Sequence, residues 1–430
     1  MSEYRASRPL FGIPAEFAAR FVRFLFARGA SSMSFQMLAV AVGWQIYHLT
    51  GSAFDLGLIG LAQFLPMVCL TLFVGQIADR YDRRKIVALC MAIESLAALL
   101  LAFGVFGGWI TREMIYVLVV IGAAARAFES PTSATLLPAL VSRDHLQRAT
   151  ALSASTNQTA QILGPALGGV LYAVNPTLPF LVVGIAFFAG ACVMASLKLV
   201  ARPASREPVT LKSVFSGIHF IRRQPVMLGT ISLDLFAVLL GGATALLPIY
   251  AKDILHTGPW GLGVLRSAPA VGAVTMSLVL AHRPLSGPIG RILFGALFVF
   301  GGATVVFALS SWLPLSLVAL FALGAADSVS VVVRSTLVQL MTPDEMLGRV
   351  SAVNMLFIGT SNQLGEFESG TTAAWFGVVP AAVIGGVGTL VVTLLWMRLF
   401  PALREIRSLD GSHMEPEASP SAAEGGKAAR

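Results

Sequence analysis

The chain has 430 residues, 56% of them hydrophobic and only 12% charged, and a mean hydropathy of +0.78. Soluble domains carry about 25% charged residues, so this composition excludes an ordinary soluble domain and points to a polytopic membrane protein. The net charge of +8 does not indicate a nucleic-acid binder, because the basic residues sit between apolar runs and form no stripe with aromatics.

In chain order, residues 1–20 form a polar leader containing Arg5, Arg8 and Pro14. The first apolar run, roughly 21–49, is too long for the core of a signal peptide and reads as an uncleaved first span. At ~20 residues per crossing, the spacing predicts twelve spans. They run roughly over 21–49, 53–78, 85–107, 113–140, 149–174, 178–198, 226–251, 259–281, 290–310, 313–340, 350–376 and 379–400. The predicted fold class is therefore an all-α polytopic membrane protein.

Loop charge tests that count. With the N-terminus placed in the cytoplasm, 24 of the 30 Lys and Arg residues fall in cytoplasmic segments. Only Arg112 and Lys252 fall on the other side, and Arg28, Arg126, Arg266 and Arg334 lie within spans. This asymmetry is the one that basic residues impose on inner-membrane proteins, and it predicts that both termini are cytoplasmic.

The densest charge cluster, Gly75 to Lys85, lies between spans 2 and 3 and contains Asp79, Arg80, Asp82, Arg83 and Arg84. Asp79 at the end of span 2 is placed to accept charge-assisted bonds from arginines or a helix N-terminus, which would latch the cytoplasmic side. The plainer alternative is a basic loop that only sets topology. Between the sixth and seventh spans, residues 200–225 form a cytoplasmic linker. Leu211, Val214, Phe215, Ile218 and Ile221 give it the spacing of an amphipathic interfacial helix. The tail, 401–430, is rich in Ser, Glu, Ala and Pro and reads as disordered. Cys69, Cys90 and Cys192 lie in apolar runs without metal-ligand spacing. The histidines form no paired set, and no glycine-rich loop precedes a Lys-Ser/Thr pair, so neither a metal, a cofactor nor ATP is implied.

An internal repeat underlies the twelve spans. Leu146-Gln-Arg148-Ala-Thr-Ala aligns with Leu347-Gly-Arg349-Val-Ser-Ala at an offset of 201, which also pairs Gly164 with Gly365 and Gly169 with Gly370. The chain thus divides into a bundle at 21–199 and a bundle at 226–400. These are two pseudo-symmetric six-helix halves of the kind that enclose a substrate cavity.

These residues carry a resemblance. Gly75-x-x-x-Asp79-Arg80-x-x-Arg83-Arg84 resembles the loop 2–3 signature of the major facilitator superfamily, with Asp82 where its second glycine is usual. Gly164-Pro165-Ala-Leu-Gly168-Gly169 in span 5 is similar to the superfamily's antiporter signature, which implies export. Trp44–Ser52, Ala78–Ile86, Thr342–Val350 and Leu211-Lys-Ser resemble the branch of enterobactin-exporter and macrolide-efflux-like proteins. The resemblance runs to about residue 400 and implies a transporter rather than an enzyme.

Ionisable groups within spans are functional candidates by default. Arg126 and Glu129 are three residues apart on span 4 and share a face. Arg126 matches the superfamily's span-4 arginine, for which the resemblance implies a part in proton transfer. Asp234 in span 7 and Asp327 in span 10 are further candidates for proton coupling, and Asp327 and Arg334 are seven apart on one face. A carboxyl that alternates between an arginine and water loads and releases a proton; a static buried ion pair is the alternative in each case. Arg28 and Gln36 on span 1, Asn157 and Gln161 on span 5, and Arg334 are candidate cavity residues. Small residues at Gly164, Gly168 and Gly169 also serve ordinary close packing. Glu94 has no evident partner.

The resulting expectation is a proton-coupled exporter of the bacterial inner membrane that works by alternating access. Its expected partners are the lipid bilayer, protons and a medium-sized amphipathic organic cargo such as a siderophore, macrolide or other drug, and it would act as a monomer. Two alternatives stay open: a lipid or lysolipid translocator on the same fold, or a non-transporting membrane receptor or assembly protein.

Overall fold

A computed structural model describes residues 15–197, 211–283 and 285–406, except for the side chains of 15–17, 71–73, 75–76, 78–79, 143, 211–214 and 344. Most of the leader and linker, the tail beyond residue 406 and the Asp79 carboxyl lie outside that description, while Pro401–Arg404, expected as the start of a disordered tail, form a helix with Leu403 buried. Among the described residues every regular element is a helix. The first six spans are α1 (Ala15–Thr50), α2 (Ala53–Arg80), α3 (Arg83–Phe106), α4 (Arg112–Leu140), α5 (Arg143–Val174) and α6 (Leu178–Ala195). The linker helix α7 (Leu211–Arg223) follows. Span 7 is α8 (Pro225–Leu240), a 3-10 turn (Ala243–Leu246), α9 (Leu247–Ile249) and a π turn (Tyr250–Ile254). Then come α10 (Gly258–His282), α11 (Ile289–Leu309), α12 (Leu313–Met341), α13 (Asp344–Phe376), α14 (Val378–Leu399) and the short α15 (Pro401–Arg404).

Local chemistry sets the boundaries. Ser52 caps α2 by accepting from the Asp55 N–H at 3.2 Å, and Thr111 caps α4 through the Met114 N–H at 3.4 Å. Span 7 is interrupted where the sequence-based expectation had one continuous helix. Gly241-Gly242 breaks it and lets the chain touch α13, since a Cβ on Gly242 would lie 2.6 Å from the Gly365 carbonyl oxygen.

Among the described residues ten helical spans are apolar enough over sufficient length to cross a bilayer; α5 and α13 are not among them. These two are the repeat partners, and both carry polar runs: Ser155, Asn157, Gln158, Thr159 and Gln161 on α5; Asn362, Gln363, Glu366 and Glu368 on α13. Polar groups at membrane depth require a protein or water neighbour rather than lipid. The two helices accordingly sit at the centre. α5 packs on α1 and α10, and α13 packs on α8 and α2.

Glycine contacts display the two-fold relation. Gly164 is seated on α1, where an added Cβ would lie 2.6 Å from Gln36 Cβ; its partner Gly365 is seated on α8, 2.8 Å from the Leu239 carbonyl oxygen. Gly169 meets α10 at the Pro259 carbonyl oxygen (2.5 Å), and its partner Gly370 meets α2 at Gly57 Cα (2.5 Å). Gly164 and Gly365 thus each seat on a helix of their own half, and Gly169 and Gly370 each on a helix of the other.

The core is asymmetric along the helix axes. We call the end bearing the α2–α3 and α4–α5 turns and the linker the basic face. At the opposite face a single apolar core joins both halves, including Trp44, Tyr47 and Tyr172 together with Leu246, Tyr250, Leu262 and Phe307. Toward the basic face the cores are separate. One is built around Phe21, Phe24 and Met91, another around Leu293, Phe294 and Leu337, and a third where Ile221 of α7 meets Met227, Val350 and Val353. Between α5 and α10, Ser267 Oγ donates to the Ile162 carbonyl at 2.6 Å. Beyond it toward the basic face, Gln147, Arg148, Ser155 and Thr159 on α5 are exposed. The halves thus share one core at the opposite face and keep separate cores toward the basic one.

Candidate functional site

The first buried charge cluster lies between α1 and α4. Arg126 Nη1 donates to Glu129 Oε2 at 2.7 Å, one turn along the same helix. Ser31 on α1 closes the triangle: its hydroxyl accepts from Arg126 Nη1 at 2.7 Å and donates to Glu129 Oε1 at 3.0 Å. The guanidinium lies over the Phe35 ring, 4.6 Å from its centroid, a cation–π contact. Glu129 is 3% exposed whereas the Arg126 side chain keeps 24%, so the arginine forms the accessible edge of the pair. Arg28 on α1 and Glu94 on α3 complete the cluster, since the charges of Glu129 and Arg126 act on both. Arg28 Nε and Glu94 Oε2 are buried without a hydrogen-bond partner. Glu94, isolated in the sequence, thus belongs to this group.

The second cluster corrects the span-10 expectation. Arg334 on α12 forms its ion pair with Asp234 on α8, not with Asp327. Both side chains are nearly inaccessible, 5% and 7%. Arg334 therefore lines no open cavity here, and Asp234 is neutralised inside its own half. Asp327 is half-buried and has no hydrogen bond or ion pair. The reason is axial: residues seven apart on a helix share a face but stand ~10 Å apart along it, whereas α8 brings Asp234 alongside.

Two charged groups of the second half face the interface between halves. Arg266 on α10 acts electrostatically on Glu366 of α13 without a direct ion pair, and Glu366 Cβ lies against Gly60 of α2. Arg266 carries no local sequence signal beyond being a charge within a span.

Of the candidate cavity residues, Arg28, Gln36, Asn157 and Gln161 are half-buried on α1 and α5. Gln36 is pressed against Gly164. The antiporter-like segment works through close approach. Gly168 abuts Met37 of α1, where a Cβ would lie 2.9 Å from the carbonyl oxygen, and Gly169 abuts α10. The helix continues through Pro165, as membrane helices permit when neighbours satisfy the freed carbonyl.

In the α2–α3 turn, Asp82 caps α3, accepting from the Arg84 N–H and Nε at 3.0 Å each and forming an ion pair with its guanidinium. Arg84 also donates to the Leu197 carbonyl at the end of α6. Arg84 is therefore engaged inside the first half, and Arg80 is exposed. Asp82 thus gives the loop an ordered anchor where the signature would have a glycine. The Arg84 guanidinium beside Asp82 holds that carboxyl below the usual carboxylate range.

At the opposite face, Tyr47 of α1 donates its hydroxyl to Asp253 in the π turn, and Lys252 Nζ lies 5.1 Å from the Tyr47 ring centroid. This links the two halves at the sealed end, at a π turn of the kind often found at functional positions.

The profile of the Major Facilitator Superfamily matches residues 24–365. The Enterobactin exporter EntS of Citrobacter koseri is 29% identical over 406 residues, covering 89% of this chain and 92% of that protein. The Enterobactin exporter EntS of Escherichia coli O1:K1 is 26% identical over 400 residues with the same coverage. Among solved structures, a bacterial homolog of the human lysosomal transporter Spinster, in an inward-facing and occupied conformation, superposes with TM-score 0.72 at 13% identity, covering 90% of this chain and 98% of that one. The nucleoside transporter NupG superposes with TM-score 0.61 at 14% identity, covering 89% and 99%. With its profile matched over most of its length and its twelve spans in that arrangement, the chain is a multi-pass membrane transporter of the Major Facilitator Superfamily.

Proposed function

We propose that this transporter is a proton-driven exporter of the bacterial inner membrane, and that its cargo is a siderophore or a similarly amphipathic organic molecule. The observation that carries the alternating-access reading is the asymmetric core, with one apolar cluster spanning both halves at the opposite face and separate clusters at the basic face. Because basic residues concentrate in the cytoplasm, the basic face is taken as cytoplasmic, and the structure as the inward-facing end of the cycle. Cargo enters from the basic face along the polar residues of α5. The relatives' names supply the siderophore.

Arg126 and Glu129 are the coupling pair. While Glu129 is ionised it holds Arg126 and Ser31; a proton on Glu129 removes the charge that holds the guanidinium. Arg126, on the accessible edge, is then free to turn toward an anionic or aromatic cargo group. Purified protein in proteoliposomes with a pH-sensitive dye tests this. Proton movement on adding a siderophore or macrolide is expected, and no movement with any such cargo, in folded protein, overturns the proposal.

A further inference from the structure

Resting on the exporter reading, we propose that Glu366 of α13 is a proton-responsive carboxyl, set in the α2–α13 crossing so that its protonation favours the closed opposite face.

The crossing is made of backbone. A Cβ on Gly57 would lie 3.1 Å from Gly370 Cα, and one on Gly60 would lie 2.7 Å from the Gln363 carbonyl oxygen and 2.8 Å from Glu366 Cβ. Glu366 is therefore held against the other half, not within its own bundle. It has no ion pair and no hydrogen bond. Beside it, Gln363 Oε1 is buried without a donor.

The charged groups around it are few. From α10, Arg266 is the charge that acts on Glu366 among the described residues. From α2, the nearest carboxylate along the helix, Asp55, is occupied by the Tyr116 hydroxyl at 2.5 Å. On α13 itself, Glu368 is held by Thr372 (2.8 Å) and Ser369 (3.4 Å). The turn after α8 presents Gly242 to Gly365 and Ser369. Glu366 is the carboxyl here that nothing occupies.

Glu366 is half-buried in the crossing, and ionising a carboxyl costs more in such a donor-poor contact than in water. The crossing that holds Glu366 must part for the opposite face to open, and parting wets it. The carboxyl takes a proton from water on that side, which removes its charge and favours closing of the crossing, and returns the proton to the same side when the crossing parts again; deprotonated, it favours the parted state. Glu129 sits in the other half, held by Arg126 and Ser31, so the two carboxyls have separate surroundings.

The test uses spin labels at Leu49→Cys on α1 and Phe376→Cys on α13, both exposed at the opposite face, with Cys69, Cys90 and Cys192 replaced. The full chain in nanodiscs is measured by double electron–electron resonance from pH 5 to 9. The control protein is expected to gain a longer-distance population as pH rises. Glu366→Gln should stay at the short distance throughout, while Glu129→Gln and Glu366→Asp still shift. An unresponsive control, or Glu366→Gln shifting like it, overturns the proposal. In parallel, Glu366→Gln, held at the short distance, should lose at least tenfold in cargo transport. Failure of all cargo movement in the unmodified protein would sink the exporter reading, whereas the distance assay judges Glu366 by itself.

Discussion

Arg334 of α12 is neutralised by Asp234 of α8, so two helices of the second half are locked by one buried ion pair. A pair at this burial behaves differently from a surface bridge, because removing one partner strands the other charge in hydrocarbon. Asp234→Ala or Arg334→Ala alone is expected to cost about 3–5 kcal/mol. The double change, Asp234→Leu with Arg334→Met, should cost less than either single one. Thermal unfolding in detergent measures this. Single variants as stable as the parent would contradict the pairing.

The glycine contacts predict a matched effect in the two halves. Gly169→Ala and Gly370→Ala each place a methyl within 2.5 Å of α10 or α2 backbone, where no flexible side chain can yield. Each should weaken the sealed opposite face by about 1–3 kcal/mol and raise cysteine accessibility there. Gly295→Ala, with open space around it, should do neither. Equal accessibility in all three would refute the assignment.

Tyr47 and Asp253 offer a more selective lever on the same face. Tyr47→Phe keeps the ring under Lys252 and removes the hydroxyl donated to the carboxylate. Losing a hydrogen bond to a charged group is worth about 1.5–3 kcal/mol, so labels at the opposite face should report a larger open population. No change would show that the bond does not hold the halves together.

At the basic face, Asp82 predicts a pH dependence. Its carboxyl is lowered by the hydrogen bonds from Arg84. A depressed carboxylate stabilises fully above the unfolded value, about 3.9, and its contribution is lost as pH falls through the lower folded value. Both side chains are about a quarter to a third exposed, which limits the effect to about 1 kcal/mol or less. Asp82→Asn preserves a good helix cap and removes the charge. Melting temperatures of the two proteins should therefore differ slightly at pH 7 and converge below about pH 4. A constant gap across that range would exclude the ion pair as its cause.

Much of this architecture is visible in the residues. The charge asymmetry and the 201-residue offset lead to twelve spans in two related sets even though α5 and α13 are too polar to announce themselves. Arg126 and Glu129 are legible as a pair because three residues along a helix is a contact distance. What stays hidden depends on how helices are rotated against one another. Nothing local to Arg334 indicates that Asp234 is its partner, nor to Ser31 that it bridges Arg126 and Glu129. Glu366 and Arg266 gain meaning only when α2, α10 and α13 are assembled. The break in span 7 does have a signal, Gly241-Gly242 followed by Pro248, but a hydropathy run passes over it.

In the proposed cycle Glu129, released from Arg126 and Ser31 by a proton, couples transport to the proton gradient. The most direct measurement compares the unmodified protein with Glu129→Gln in proteoliposomes, recording cargo-induced proton flux and cargo counterflow in the same preparation. The account predicts that the variant, folded and still able to exchange cargo, loses proton flux by at least tenfold. Undiminished proton flux in Glu129→Gln would contradict it.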